Sequence, residues 1–247
     1  MEIDTSIMMV TYNRLELTRK TIENLLRNNK RKCHFIIIDN GSTDGTVEYL
    51  KALNSNDLYF YHIHLLEENR GIASGRNIAL KVADELNTKW YCTIDNDVDM
   101  PDGWLNECID ILFNNKAFGA IGVNMEETKY PVVTKNGVTF QEKPAGNLGT
   151  ACMVFTDKVH KAIGFFKKYN KYGLEDSDFG MRARFFGFKL GYILENGTHL
   201  GVGTYDTGDY RKWKTLEHDS KVAEFQRNCN LYVQKKLPIF VPYNEKF

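Results

Sequence analysis

The chain has 247 residues, 43% of them hydrophobic and 13% aromatic, which is enough for one full core, and its 32 basic residues balance 32 acidic ones. Zero net charge excludes the basic excess of a dedicated nucleic-acid binder. No apolar run approaches the roughly 18 residues needed to span a bilayer. The N-terminal stretch MEIDTSIMMV lacks the basic segment and longer apolar core of a signal peptide. Five cysteines without a CxxC pair suggest neither a zinc site nor a disulfide framework. The N-x-S/T sequons at Asn40 and Asn196 fall in stretches assigned below to the site, where a glycan would obstruct it. These features predict a reducing, cytoplasmic setting.

Residues 5–12, TSIMMVTY, read as a short buried strand. Asn13 and Arg14 lead into LELTRKTIENLLRN, where Leu15, Thr18, Ile22, Leu25 and Leu26 approximate one helical face. The apolar run Phe35–Ile38 suits a strand covered on both faces. It ends at Asp39, followed by a Gly-containing loop and a helix opened by the N-cap candidates Ser42–Asp44. Residues 58–66 predict a third strand, and GIASGRNIALKVADEL a third helix. A fourth strand, Trp90–Ile94, stops at a knot of carboxylates, Asp95, Asp97 and Asp99. Strands alternating with helices predict a parallel, doubly wound α/β sheet, whose ligands sit at the carboxyl ends of the strands. Those ends carry Thr11–Asn13, Asp39 and Asp95–Asp97.

The second half is less regular. Pro101 and Asp102 signal a helix start, 118–124 a strand, and 130–142 a hairpin turning at Asn136–Gly137. A further strand is predicted from near Leu148, a short helix over 157–163, a helix from Glu175 to Gly187 and a strand over 188–194. The Gly-rich stretch ENGTHLGVGTYDTGDY reads as a loop carrying His199, and 215–235 as a closing amphipathic helix.

In a strand, Asp95 and Asp97 would project to the same side and Asn96 to the other. Two carboxylates so placed suit Mg²⁺ or Mn²⁺, which complete their shells with water and substrate phosphates. The plain alternative is an acidic turn after an ordinary strand. Likewise, the Glu175–Asp176–Ser177–Asp178 cluster suits a helix start, where the dipole stabilises each carboxylate by about 0.3–1 kcal/mol, and Asp178 can simply pair with Arg182 four residues on. The functional alternative is a general base held by a rigid helix end. A loop His beside carboxylates would add a nitrogen ligand and favour Mn²⁺. Arg76 either lies near the nucleotide or makes a surface ion pair. No P-loop, dinucleotide fingerprint or GxSxG elbow is present.

The stretches VTYNR at 10–14, IIIDNGSTDGT at 36–46, ENRGIASGRNIAL at 68–80, Asp95–Asp97 and GLEDSDFGMRARFFG at 173–187 occur in the order found in one family. Over residues 5–200 the chain resembles the family 2 glycosyltransferases with the GT-A fold. The resemblance implies one domain, with a nucleotide-binding half (1–100), an acceptor-binding half with a smaller sheet (101–214) and a C-terminal helix and tail (215–247). It implies a nucleotide-sugar donor, most often a UDP-sugar. Thr11, Tyr12 and Asn13 would line the base pocket and Asp39 would hydrogen-bond uracil. Arg76 would approach the nucleotide, with the Asp95–Asn96–Asp97 turn at the ribose and diphosphate. Asp97, His199 and Asp95 would hold Mn²⁺ or Mg²⁺, Asp176 would be the catalytic base, and Glu175 would contact acceptor or donor sugar. The implied reaction is a metal-dependent, inverting transfer of one sugar, because the QxxRW signature of processive synthases is absent. A catalytically inactive nucleotide-sugar-binding module is the alternative. The acceptor (glycan, glycolipid, protein or modified nucleic acid) is not identified, and 125–147 and 164–174 are expected to face it.

Overall fold

The computed structural model describes residues 3–54, 59–149, 151–201 and 208–245. Four strands, β1 (Thr5–Thr11), β2 (Cys33–Asp39), β3 (Tyr59–Leu65) and β4 (Trp90–Ile94), pair in parallel in the order 3-2-1-4. Beyond β4 the sheet continues through β9 (Cys152–Thr156), β6 (Phe118–Gly122), β10 (Lys189–Tyr192), β8 (Val138–Lys143) and β7 (Val132–Lys135), nine strands in all. β9 is antiparallel to both neighbours, so it turns the sheet from its first half to its second. The smaller sheet consists of only two short strands, β5 (Val98–Asp99) and β11 (Thr198–His199).

Both faces of the central strands β1, β2, β4, β9 and β6 are covered, which is why those strands read as nearly continuous apolar runs, while the edge strands β3 and β7 are half-buried or exposed. In β1 the alternation separates the two cores. Ile7 and Met9 join α1 (Leu15–Asn28), α2 (Thr46–Lys51) and α4 (Trp104–Asn114), whereas Met8 and Val10 join α3 (Ile72–Glu85), α5 (Asp157–Ile163) and α6 (Glu175–Phe185). No helix among the described residues is long and apolar enough to cross a membrane.

Several boundaries differ from expectation. β9 begins at Cys152 rather than near Leu148, because its ladder starts opposite Ile94, where β4 ends. The closing helix α7 (Gly208–Val233) starts seven residues earlier than its pattern suggested. His199 lies in β11, paired opposite Val98, and not in an irregular loop; residues 202–207 of the predicted loop lie outside the described residues. Helix starts also depart from side-chain capping. α1 and α6 follow Arg14 and Leu174, both left-handed (φ 65° and 68°), and neither of these two residues caps its helix with its own side chain. Asp44 does accept from Thr46 N at 3.1 Å, although Gly45 occupies the position before α2.

Asp178 and Arg182 form the pair that their spacing suggested, but in the core: both side chains are fully buried. Arg182 also donates to the carbonyls of Ile163 (2.6 Å) and Phe165 (2.9 Å), and Asp178 accepts from Tyr169 (2.7 Å) and Tyr232 (2.9 Å). One ion pair thus ties α6 to α7 and to the segment after α5.

Candidate active site

At the carboxyl ends of β1 and β4 lies a cleft of about 380 Å³, within the range of small-molecule sites. It forms because β4 stops at Ile94: Asp95 N donates to Ala151 O (3.1 Å), and the chain then turns away from the sheet. The turn is pinned from three sides. Asn96 donates to Thr11 (3.1 Å) and Thr18 (2.9 Å), Val98 N donates to Thr21 (3.0 Å), and Leu200 N donates to Asp97 O (2.7 Å). Asn96 is therefore spent on the β1–α1 junction, while Asp95 and Asp97 face the cleft. Asp99 is outside it, accepting from Asn24.

The structure brings Thr11, Tyr12, Arg76, Asp95, Asn96, Asp97, Glu175, Asp176 and His199 to this one cleft. It leaves Asn13 and Asp39 behind the lining. Asn13 Oδ1 accepts from Thr43 N (2.8 Å), and Asp39 Oδ2 accepts from Ser42 N (2.9 Å), so both hold the loop after β2. Asp39 is fully buried and its Oδ1 has no hydrogen-bond partner among the described residues. The expected acceptor-facing segments divide: Lys171, Tyr172 and Gly173 line the cleft, whereas 125–147 does not.

Among the lining residues without a role assigned from the sequence are three charged or aromatic ones, Arg14, Trp213 and Lys214. Arg14 Nη1 lies 3.1 Å from Asp97 Oδ2, and His199 Nδ1 lies 3.6 Å from Asp97 Oδ1. Trp213 and Lys214 come from the first turns of α7, which the late predicted start left outside a helix. Gly71 (φ 88°) makes the opposite wall possible: a Cβ there would stand 2.8 Å from Lys171 Cα.

Charge in the cleft is divided between two centres. Arg76, buried in α3, bridges Asp95 Oδ1 (2.8 Å) and Glu175 Oε1, so it ties the end of β4 to the start of α6. Burial works against the guanidinium charge, but Glu175 and Asp95 more than restore it. One guanidinium faces Asp95, Glu175 and nearby Asp176, and cannot neutralise all three. Burial, aided by Asp176 and Asp95 and opposed by Arg76, pushes the Glu175 carboxyl up to about 7; burial also raises Asp95. Asp97 goes the other way. Burial disfavours its charge, but His199 and Arg14 outweigh it and hold the carboxyl below its ordinary value. At 3.6 Å the His199 contact is charge attraction rather than a close hydrogen bond.

Glu175 sets a pH dependence of stability. Its native carboxyl binds a proton more tightly than the ordinary value of 4.5, so stability is full below about 4.5 and falls as pH rises through about 7. A loss on the order of 2–3 kcal/mol is expected over that window. Urea midpoints measured from pH 4.5 to 7.5 should show this slope flattened in Glu175→Gln; an unchanged slope would assign it to other groups.

A doubly wound sheet with an Asp-x-Asp turn ending its fourth strand, and a carboxylate-rich helix start across the cleft, is the architecture of the GT-A glycosyltransferases. Solved structures agree on the fold. The mannosyltransferase PcManGT of Pyrobaculum calidifontis, in complex with GDP-Man and Mn²⁺, superposes with a TM-score of 0.66 at 16% identity, covering 91% of this chain and 65% of that one. TarS of S. aureus in complex with UDP-GlcNAc gives 0.61 at 15% identity, covering 94% of this chain and 72% of that one. The chain belongs to glycosyl transferase family 2, whose family model matches residues 6–184. An uncharacterised glycosyltransferase of Acanthamoeba polyphaga mimivirus is 25% identical over 175 residues, 69% of this chain and 66% of the relative. The poly-β-1,6-N-acetyl-D-glucosamine synthase of Staphylococcus aureus is 35% identical over 79 residues, 32% of this chain and 18% of the synthase. The chain thus spans about two thirds of the viral relative and less than a fifth of the synthase.

Proposed function

We propose that the protein transfers one sugar from a nucleotide sugar, a UDP-sugar, to an acceptor hydroxyl in a metal-dependent displacement that inverts the anomeric centre. The observation that carries this reading is that Asp97, flanked by Arg14 and His199, and Asp176 line the same cleft. TarS binding UDP-GlcNAc and the local likeness to a glucosamine-polymer synthase support a UDP-linked donor.

The donor set fits a divalent cation. Asp97 and His199 converge, with Asp95 in the same turn, and a nitrogen ligand favours Mn²⁺ over Mg²⁺. Among the described residues no group of three or more His, Cys, Asp or Glu side chains is placed to hold a metal ion, so Asp97 and His199 would supply only part of the shell, with phosphates and water supplying the rest. When bound, the metal would neutralise charge developing on the departing diphosphate.

The chain's own residues supply the rest. Thr11, Tyr12 and Asn40 border the base end of the cleft; Asp39 Oδ1, buried behind them and without a hydrogen-bond partner among the described residues, would accept from an imide N–H of uracil only where the base displaces that lining. Arg76 orients Asp95 and Glu175. Asp176 takes the proton of the acceptor hydroxyl as its oxygen bonds to the anomeric carbon, and the anomeric C–O bond breaks with its electron pair on the diphosphate. The chain works as one domain with a donor half (1–100) and an acceptor half (101–214). Trp213 and Lys214 on α7 close the cleft, so the C-terminal helix is part of the site.

Incubation with Mn²⁺ and a panel of nucleotide sugars and candidate acceptors tests the reading, with release of UDP as the expected result. Thermal stabilisation without turnover would instead identify a binding module, and release of pyrophosphate a nucleotidyl transferase. In the same assay Asp97→Ala should weaken Mn²⁺-dependent UDP binding by about tenfold or more; an unchanged metal response would remove Asp97 from the metal site.

A further inference from the structure

Arg14 is held in an unusual way. Both Asn13 (φ 55°) and Arg14 (φ 65°) are left-handed, a conformation that costs non-glycine residues energy and persists only where the surroundings enforce it. The loop after β2 enforces it here: Ser42 Oγ accepts from Asn13 N (2.7 Å), Asn13 Oδ1 accepts from Thr43 N (2.8 Å), and Asp44 Oδ2 accepts from Leu15 N (3.0 Å). These three bonds bracket Arg14 and aim its side chain into the cleft, where the side chain is 17% exposed and Nη1 lies 3.1 Å from Asp97 Oδ2. Gly201 leaves the pair its room, since a Cβ at that position would lie 3.1 Å from Asp97 Oδ2 and 3.2 Å from Arg14 Nη2.

Both oxygens of Asp97 are therefore engaged, one by Arg14 and the other facing His199. A divalent cation drawn to Asp97 meets a guanidinium already on Oδ2, and the two like charges compete for one carboxylate. A nucleoside diphosphate removes that conflict, because it brings several negative charges and offers a planar guanidinium paired phosphate oxygens.

Resting on the nucleotide-sugar reading of this cleft, we infer that Arg14 is the resident counter-cation of Asp97. It releases that carboxylate to the metal and turns to the diphosphate when nucleotide binds. Arg14 thereby couples the two ligands: each binds better in the presence of the other, by the same factor. A residue that merely braces the fold would leave this factor unchanged.

The test measures Mn²⁺ affinity of the full chain by titration calorimetry and electron paramagnetic resonance, without nucleotide and with UDP, GDP being run in parallel. The wild-type protein is expected to bind Mn²⁺ weakly alone and more tightly with nucleotide. In Arg14→Gln, Mn²⁺ binding without nucleotide should tighten by about fivefold, the scale of one partly screened ion pair. Nucleotide binding at saturating Mn²⁺ should weaken by about fivefold or more, so the coupling factor falls. Arg14→Lys, which keeps the charge without the fork, should be intermediate on both measures. Unchanged or weaker Mn²⁺ binding in both variants, with the coupling factor intact, would overturn the role of Arg14 alone. Absence of any metal-dependent UDP or GDP binding in the wild-type protein would overturn the nucleotide reading and this inference together.

Discussion

Asp176→Asn is expected to slow sugar transfer by about 10²–10⁴-fold while leaving UDP affinity nearly unchanged. Asp176 stands half-buried on the cleft in the first turn of α6, with Oδ1 accepting from Ser177 N at 2.6 Å. An asparagine can keep that acceptor bond and the side-chain shape, but it cannot take a proton from an attacking hydroxyl. The loss should therefore fall on kcat, measured as UDP release with the acceptor found in the panel, while calorimetry with UDP and Mn²⁺ reports intact binding. A variant that loses UDP binding in proportion to activity would contradict a base role and make Asp176 a donor-binding group.

Two residues along the same helix, Asp178→Ala should leave the chemistry's groups in place and cost about 3–5 kcal/mol of stability. The loss comes less from the attraction given up than from what stays behind. Arg182 is fully buried, and without Asp178 its charge keeps, among the described residues, the carbonyls of Ile163, Phe165 and, at 3.3 Å, Ile239, and the face of the Phe179 ring. The hydroxyls of Tyr169 and Tyr232 lose their carboxylate acceptor at the same time. Urea unfolding measures the effect. The double variant Asp178→Ala with Arg182→Met should recover part of the stability, because it removes the orphaned charge. A single-variant loss below about 1 kcal/mol would mean that water relieves Arg182 and that the pair is not the core of the α6–α7 junction. Together the two substitutions separate members of one acidic cluster, EDSD, that are equivalent in sequence.

Much of the framework is readable from local pattern. The stretch 5–12 forms a buried strand over Thr5–Thr11, with Tyr12 exposed beyond it, the apolar stretch Phe35–Ile38 is a buried strand, and residues 157–163 form the short helix their spacing predicts. Where reading failed, the cause was long-range pairing. His199 is in a two-residue strand, too short for any periodicity, and its partner Val98 lies about a hundred residues earlier. The start of α7 escaped because 208–214 carry no apolar stripe. Asn13 and Asp39 sit at strand ends, as expected of ligand contacts, yet both turn into the loop after β2 because that loop needs their oxygens.

The one-dimensional pattern of apolar residues, turns and strand ends is sufficient for the doubly wound sheet and for placing a cleft at the carboxyl ends of β1 and β4, because burial and backbone period act over a few residues. It could not say which carboxylate would do what. Asp97 is kept in its charged form by His199 and by Arg14, 83 residues away, whereas burial beside Asp176 and Asp95 raises Glu175 against the opposing charge of Arg76, 99 residues away. Such charges interact through space once folding has brought them together in a partly buried cleft, and two aspartates one residue apart then shift in opposite directions, Asp95 up and Asp97 down. Folding, rather than residue type, is what separates Asp97 from Asp95 and Asp176 from Asp178.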